Sequence, residues 1–185
     1  MADNNKGKGM QQKYSLTMRI LHWLIGLMLL IMIGVGWYMA GLPMESELKY
    51  EIYPIHKSFG ITVFGLVLIR IVVRLFSNTP ALPSGLATWE KALTKITHLL
   101  LYVLMLAIPV VGYLSSDFQG FDVEWFGIPI PELVEDNEDY AHLMHEWHEI
   151  LAYSLLLLII LHLAGTIKHR WFDKGSDTDV LNRML

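Results

Sequence analysis

Two histidines stand fourteen residues apart in "HEWHEILAYSLLLLIILHLAGTIKHRW" (145–171), a run otherwise apolar enough for lipid. Fourteen residues is just under four turns of α-helix, so His148 and His162 share a face and stand about 21 Å apart along the axis. Neutral imidazole is a common metal ligand. One helix would therefore offer nitrogen ligands at two levels to whatever packs on that face. His22, His56 and His98 also lie within or at the ends of apolar segments. An imidazole at such a depth is costly and functional by default.

The elements that must position these residues follow from hydropathy. The chain has 185 residues, 54% of them hydrophobic and 17% charged. Four apolar blocks, at about 20–40, 56–75, 96–114 and 148–167, approach the roughly 20 residues needed to cross about 30 Å of hydrocarbon. The first is long, begins 19 residues into the chain and is followed by no A-x-A-like site, so it reads as a span rather than a signal peptide. The expected fold is all-α, an integral membrane four-helix bundle. Its domain covers 20–172, with a tail at 1–19 and another at 173–185. Pro80, Pro83 and Gly85 break any helix between the second and third spans. In the outer loop, "FGIPIPELVEDNEDYAHL" should run extended at 128–131 and then form a short helical turn before His142.

Charge sets the orientation. Lys6, Lys8, Lys13 and Arg19 precede the first span against a single Asp3. Arg70, Arg74, Lys91 and Lys95 bracket the second connection, and Lys168, Arg170, Lys174 and Arg183 follow the fourth span. Glu45, Glu47 and Glu51 surround Lys49 on the other side, and the segment 117–147 holds nine acidic residues with no Lys or Arg. Both termini are expected in the cytoplasm and the acidic loops outside. Nothing in the composition suggests a nucleic-acid partner.

With that topology the histidines pair by depth: His56 with His148 near the outer surface, His22 with His162 near the inner. The absence of cysteine excludes disulfides, thiolate metal sites, iron–sulfur clusters and a covalent c-type haem. A tetrahedral zinc site would want three or four ligands at one depth. Pairs of imidazoles between helices are what a non-covalent haem b needs. Small residues four positions on, Gly26 after His22, Gly60 after His56 and Ala152 after His148, would let a flat macrocycle approach. Thr166 beside Gly165 is a weaker counterpart after His162, and bulky Tyr102 follows His98, which argues against His98 as an axial ligand.

Arg70 follows His56 by fourteen residues and so shares its face at the depth of the inner pair, with Arg74 one turn on. Either arginine could fork onto haem propionates or simply anchor the inner surface. His98 and His169 are the titratable groups near the inner pair. They are candidates for proton exchange and equally for supporting a ligand or a propionate. His142 and His145 read as solvated loop residues, with an outer zinc site as the minor alternative.

Four stretches in order carry a resemblance: "RILHWLIG" (19–26), "IHKSFGITVFGLVLIRIVVRL" (55–75), "THLLLYVLMLAIPVVGYL" (97–114) and "WHEILAYSLLLLIILHLAGTIKHRWF" (147–172). With the closing "DVLNRML", the chain resembles the bacterial di-haem cytochrome b561 family, relatives of the cytochrome b subunits of membrane hydrogenases and formate dehydrogenases. The resemblance implies a bacterial inner-membrane bundle holding two non-covalent haem b groups on His22 with His162 and on His56 with His148. It also implies electron transfer between the ubiquinone pool and a periplasmic donor or acceptor. In some members the outer partner is superoxide, and in others the cytochrome anchors a larger redox complex. An anionic substrate calls for a positive mouth. Here the outer segments are acidic, with Lys49 and Lys57 the exceptions, so superoxide oxidation ranks behind exchange with a basic carrier. A divalent-metal transporter is the rival from another class. It would want carboxylates within the spans, where blocks one to three have none and Glu149 sits only at the edge of the fourth.

Overall fold

The computed structural model describes residues 13–43, 45–173 and 178–185. Asp3, Lys6, Lys8 and Lys174, and most of the 1–19 tail, lie outside the described residues. Among the described residues there are four long helices: α1 (Leu16–Ala40), α2 (Glu47–Phe76), α3 (Thr88–Asp117) and α4 (Glu138–Ile167). Each is long and apolar enough to cross a membrane. They form an all-α bundle in which α1 packs on α2, α2 on α3 and α3 most extensively on α4.

All four helices overrun the apolar blocks, and at α1, α3 and α4 a polar side chain caps the first turn. Ser15 accepts from Met18 N–H (3.4 Å) at α1, Glu90 reaches back to Ala87 N–H (2.9 Å) at α3, and Asn137 accepts from Tyr140 N–H (3.0 Å) at α4. The helix bodies therefore take in Glu47, Glu51, Glu90 and Asp117 at their ends. The turn expected before His142 is the start of α4 itself, so His142 and His145 are exposed helix residues rather than loop residues. Past Ile167 the chain winds wider as a π-helical turn, Lys168–Phe172.

A slender core of Leu21, Ile25, Leu29, Val63, Val67, Met105 and Leu155 runs through the bundle. The outward faces carry exposed Leu27, Leu75, Leu99 and Leu157. In water such a girdle would be an aggregation surface; hydrocarbon removes that cost.

Trp23 Nε1–H donates to Met184 O (3.0 Å) and Tyr14 N–H to Arg183 O (3.1 Å), so both described chain ends meet on one side, the terminal end. The opposite side, the hairpin end, is closed by two short antiparallel strands, β1 (Glu124–Trp125) and β2 (Ile128–Pro129), with Trp125 opposite Ile128. Extended backbone thus covers the first half of the expected 128–131 stretch. The two turn residues, Phe126 (φ 49°) and Gly127 (φ 87°), both need positive φ, as two-residue hairpins of this hand do. Phe126 is held there by its N–H on Ser58 Oγ (3.1 Å) and its ring against Phe59 (5.4 Å). Trp125 Nε1–H adds a bond to Thr62 Oγ1 (3.0 Å). The hairpin is thereby clamped to α2 within two turns of His56.

Asp117, 3% exposed, ends α3 and accepts from the N–H groups of Leu133 (2.8 Å) and Val134 (3.2 Å). Asp117→Ala would strand both donors. Thermal unfolding followed by circular dichroism in detergent should show a loss of about 2 kcal/mol, the usual size for bonds to a charged acceptor.

Candidate functional site

At the hairpin end, His56 on α2 and His148 on α4 face one another with ring centres 6.4 Å apart. At the terminal end His22 on α1 and His162 on α4 stand 6.1 Å apart. These are the pairs that depth alone suggests, and α4 supplies one member of each. Their spacing has a chemical meaning. An imidazole nitrogen binds a first-row metal at about 2.0 Å. Adding about 1.1 Å from nitrogen to ring centre on each side puts two axial imidazoles roughly 6 Å apart, centre to centre. Both pairs match that separation.

The surroundings fix which nitrogen is offered. His148 Nδ1 lies 3.1 Å from Ile108 O, and that carbonyl can only accept, so Nδ1 carries the proton and Nε2 is left as the ligand atom. Gly112 makes room for this ring: a Cβ there would fall 2.7 Å from His148 Nδ1 and 2.8 Å from Cε1. His56 Nδ1 is buried with no partner among the described residues. A Cβ at Gly36 would meet His56 Cε1 at 3.7 Å, an ordinary contact. Gly26 has nothing within 4 Å of an added Cβ, and Gly60 only Met32 Cε at 3.9 Å, so the faces next to His22 and His56 are open.

Arg70 is 6% exposed and joins three helices at the terminal end. Its Nη1 donates to Met18 O (2.9 Å) on α1 and its Nε to Tyr102 Oη (3.0 Å) on α3, while Nη2 stands 3.4 Å from His22 Nδ1. Arg74 is exposed and lies over the Tyr102 ring at 5.8 Å. His98 comes to the same cluster, its ring 5.4 Å from that of His162, with Nδ1 bonded to Thr94 O (2.8 Å). The terminal end therefore gathers three imidazoles and a guanidinium.

His169 lies on the π-helical turn, with Nδ1 2.7 Å from Asp173 Oδ2. Asp173 also receives Lys168 Nζ (3.2 Å), which reaches on to Glu90 Oε1 (2.7 Å) at the start of α3. The His169 hydrogen bond first, and Lys168 second, hold the Asp173 carboxyl below the ordinary carboxylate range. A carboxyl with a lowered folded value lends stability that is complete above its unfolded value, about 3.9, and is lost only as pH falls through the lower folded one. The Asp173 carboxylate is thus ionised throughout the neutral range. Among the described residues, Glu90, His169 and Asp173 are the His/carboxylate group whose ligand atoms lie within 4.8 Å of one another. Among the described residues no such group forms around His142 and His145.

Several of these residues have no signal in the sequence beyond their position. Gly112, the Ile108 carbonyl and Tyr102 matter through contacts between helices. Asp173 had one readable clue, its place four residues after His169, where helical side chains meet.

The profile described as prokaryotic cytochrome b561 matches residues 13–185. The chain is 29% identical over 178 residues to Cytochrome b561 homolog 2 of Escherichia coli (strain K12), covering 94% of this chain and 92% of that protein. It is 27% identical over 169 residues to the Probable superoxide oxidase CybB of Yersinia pestis, covering 90% and 94%. With Cytochrome b561 homolog 1 of Escherichia coli (strain K12) the identity is 24% over 168 residues, covering 89% and 93%.

Gly112→Ala should force the His148 ring off the Ile108 carbonyl and destabilise the protein by about 1–3 kcal/mol, the range for overpacking. Gly65→Ala, where an added Cβ meets nothing within 4 Å, should be neutral or mildly stabilising. Parallel thermal melts of the two variants would check the contrast.

Proposed function

The chain belongs to the prokaryotic cytochrome b561 family and is a multi-pass electron-transfer protein of the bacterial inner membrane, and from that premise we propose that it acts as a two-haem wire. His22 with His162 would hold one haem b and His56 with His148 the other. The observation that carries this reading is the pair of imidazole separations, 6.1 and 6.4 Å, each suited to one six-coordinate iron. When bound, each haem would supply a one-electron couple for passing single electrons.

The chain's own residues orient and shield these groups. The Ile108 carbonyl fixes the ligating tautomer of His148, and Gly26 and Gly60 leave flat faces beside His22 and His56. Arg70 has a further role. Ligation through His22 Nε2 requires a proton on Nδ1, which removes the acceptor that faces Arg70 Nη2. A propionate carboxylate would restore an acceptor for that donor, so Arg70 suits a propionate partner as well as a strut. Arg74 and His98, on the same cluster, are second candidates for that duty.

The terminal end, rich in Lys and Arg, is placed in the cytoplasm by the charge rule. We assign it the exchange of electrons with ubiquinone, and the acidic hairpin end the exchange with a periplasmic partner. Superoxide is the second reading. A relative 27% identical over 169 residues bears the name Probable superoxide oxidase CybB. Lys57, beside His56 and over the Phe121 ring at 5.7 Å, gives that end a local cation. The surrounding carboxylates oppose an anion's approach, and for that reason it ranks second.

A reduced-minus-oxidised visible spectrum with a pyridine haemochrome count tests the wire. Two haem b per chain are expected, falling to one or none in His148→Ala and in His162→Ala. A folded but colourless protein would end the proposal. Rapid haem reduction by a superoxide-generating system, abolished by Lys57→Glu, would promote the second reading over the first.

A further inference from the structure

The network around His169 is not needed to hold either imidazole pair, and its construction is specific. His169 follows His162 by seven residues. At 1.5 Å per residue that puts it about 10 Å nearer the terminal surface, close to the same face. Its side chain is 11% exposed, against 46% for Lys168. The π-helical turn Lys168–Phe172 swings the backbone so that Asp173 Oδ2 meets His169 Nδ1 at 2.7 Å. Such turns are frequent at functional sites. Thr178 Oγ1–H also bonds the His169 carbonyl (3.3 Å).

Asp173 is itself fixed in stages. Lys168 Nζ binds both of its carboxylate oxygens at 3.2 Å and Glu90 Oε1 at 2.7 Å, and the other Glu90 oxygen accepts from Ala87 N–H at 2.9 Å. The charged groups facing His169 are thus Glu90 from α3 and Lys168 and Asp173 from the end of α4. A carboxylate that can only accept holds the proton on Nδ1 and leaves Nε2 as the working atom of the ring.

Two other readings of the cluster are weaker. Glu90, His169 and Asp173 have ligand atoms close enough for a divalent cation. The Lys168 ammonium, however, already lies between the two carboxylates, where the ion would sit. A plain stitch between α3 and α4 needs only the Lys168–Glu90 bond and gives no reason for a half-buried imidazole held in one tautomer.

We propose that Asp173 is the positioning residue of a His169–Asp173 pair that exchanges protons, through His169 Nε2, with a quinone at the terminal end. The inference rests on the quinone reading above. In quinone reduction, two electrons arrive singly by way of the cytochrome and two protons are taken up, so each carbonyl oxygen gains one O–H bond. For each proton passed, the Nε2–H bond of a protonated His169 breaks, the positive charge having been held by Asp173, and a proton drawn from the aqueous phase then restores the Nε2–H bond. In quinol oxidation the same atom accepts the proton. Asp173 thus acts through His169 and does not itself touch the quinone.

The test uses full-length holoprotein in detergent, reduced and then mixed with a short-chain ubiquinone. In Asp173→Asn the limiting rate of haem oxidation should fall about tenfold to a hundredfold, the scale of a positioned acid–base group. The half-saturating quinone concentration should stay within about twofold, the haem spectrum should be unchanged and the solvent deuterium isotope effect should rise. Asp173→Glu should recover most of the rate. Nitrogen-15 spectra of the reduced protein should show the His169 Nδ1–H resonance in the wild type and in Asp173→Glu and its displacement in Asp173→Asn. An unchanged rate and isotope effect in Asp173→Asn overturns the proposal, as does a loss accompanied by haem release and not recovered by Glu. If wild-type protein gives no haem oxidation by the quinone, the quinone reading itself falls and this inference with it, an outcome visible before any variant is made.

Discussion

A guanidinium between membrane helices must have its donors met, and Arg70 meets them on two other helices at once. The bond to Met18 O sets the height and rotation of α1 against α2, and the bond to Tyr102 sets α3. His22 lies one turn beyond Met18, so the same bond that satisfies the charge also presents that imidazole to His162 on α4. Much of the terminal end follows from this constraint. With α1 and α3 located, His98 falls beside His162, and the start of α3 brings Glu90 to Lys168.

The hairpin end solves a similar problem with a serine hydroxyl and the buried Asp117 carboxylate. Ser58 lies 2.9 Å from Pro54 O and 3.1 Å from Glu124 O, and it receives Phe126 N–H. The hairpin is thereby pinned over α2 next to His56. Asp117 gathers the far arm of the same connection. Backbone that leaves the helices close to the bilayer thus finds partners within the protein, as backbone at that depth requires. On the proposed two-haem reading, electron exchange at this end would cross a fixed, short cover, and at the other end it would run beside the His169–Asp173 pair. That division suits a partner which brings only electrons outside and one which also brings protons inside.

The sequence made the four helices and the two imidazole pairs legible, because both depend on periodicity and depth. A spacing of fourteen residues places two side chains on one face of α4 whatever packs against it. The charge bias along the chain ordered the remaining histidines by level. Helix ends were less legible. Hydropathy stops where apolar residues stop, whereas Ser15, Glu90 and Asn137 carry the helices on by capping them. The roles of Gly112 and Tyr102 were hidden for a different reason. They depend on how far each helix is rotated about its own axis, and composition along one helix does not record its neighbour's rotation. Tyr102 illustrates the point: its bulk argued against a ligand at His98, while its hydroxyl, bonded to Arg70, is what the structure uses.

The last turn of α4 shows how a local rule can be visible and its consequence not. His169 and Asp173 stand four apart, so a contact between them was to be expected on any helix. On a regular α-helix that contact would be one surface pair among many, of small value. Widening to a π turn at Lys168, together with Glu90 arriving from α3, gives the pair a third and a fourth member and a fixed tautomer. Thr178 bonds the His169 carbonyl, the Arg183 carbonyl accepts from Tyr14 just before α1, and the Arg183 side chain bonds Ala81 O in the α2–α3 connection. A segment so tied from three sides can hold one imidazole in one protonation geometry beside a lipid phase. A freely moving histidine at the same depth could not, since each change of rotamer would break the bond that Asp173 makes to Nδ1.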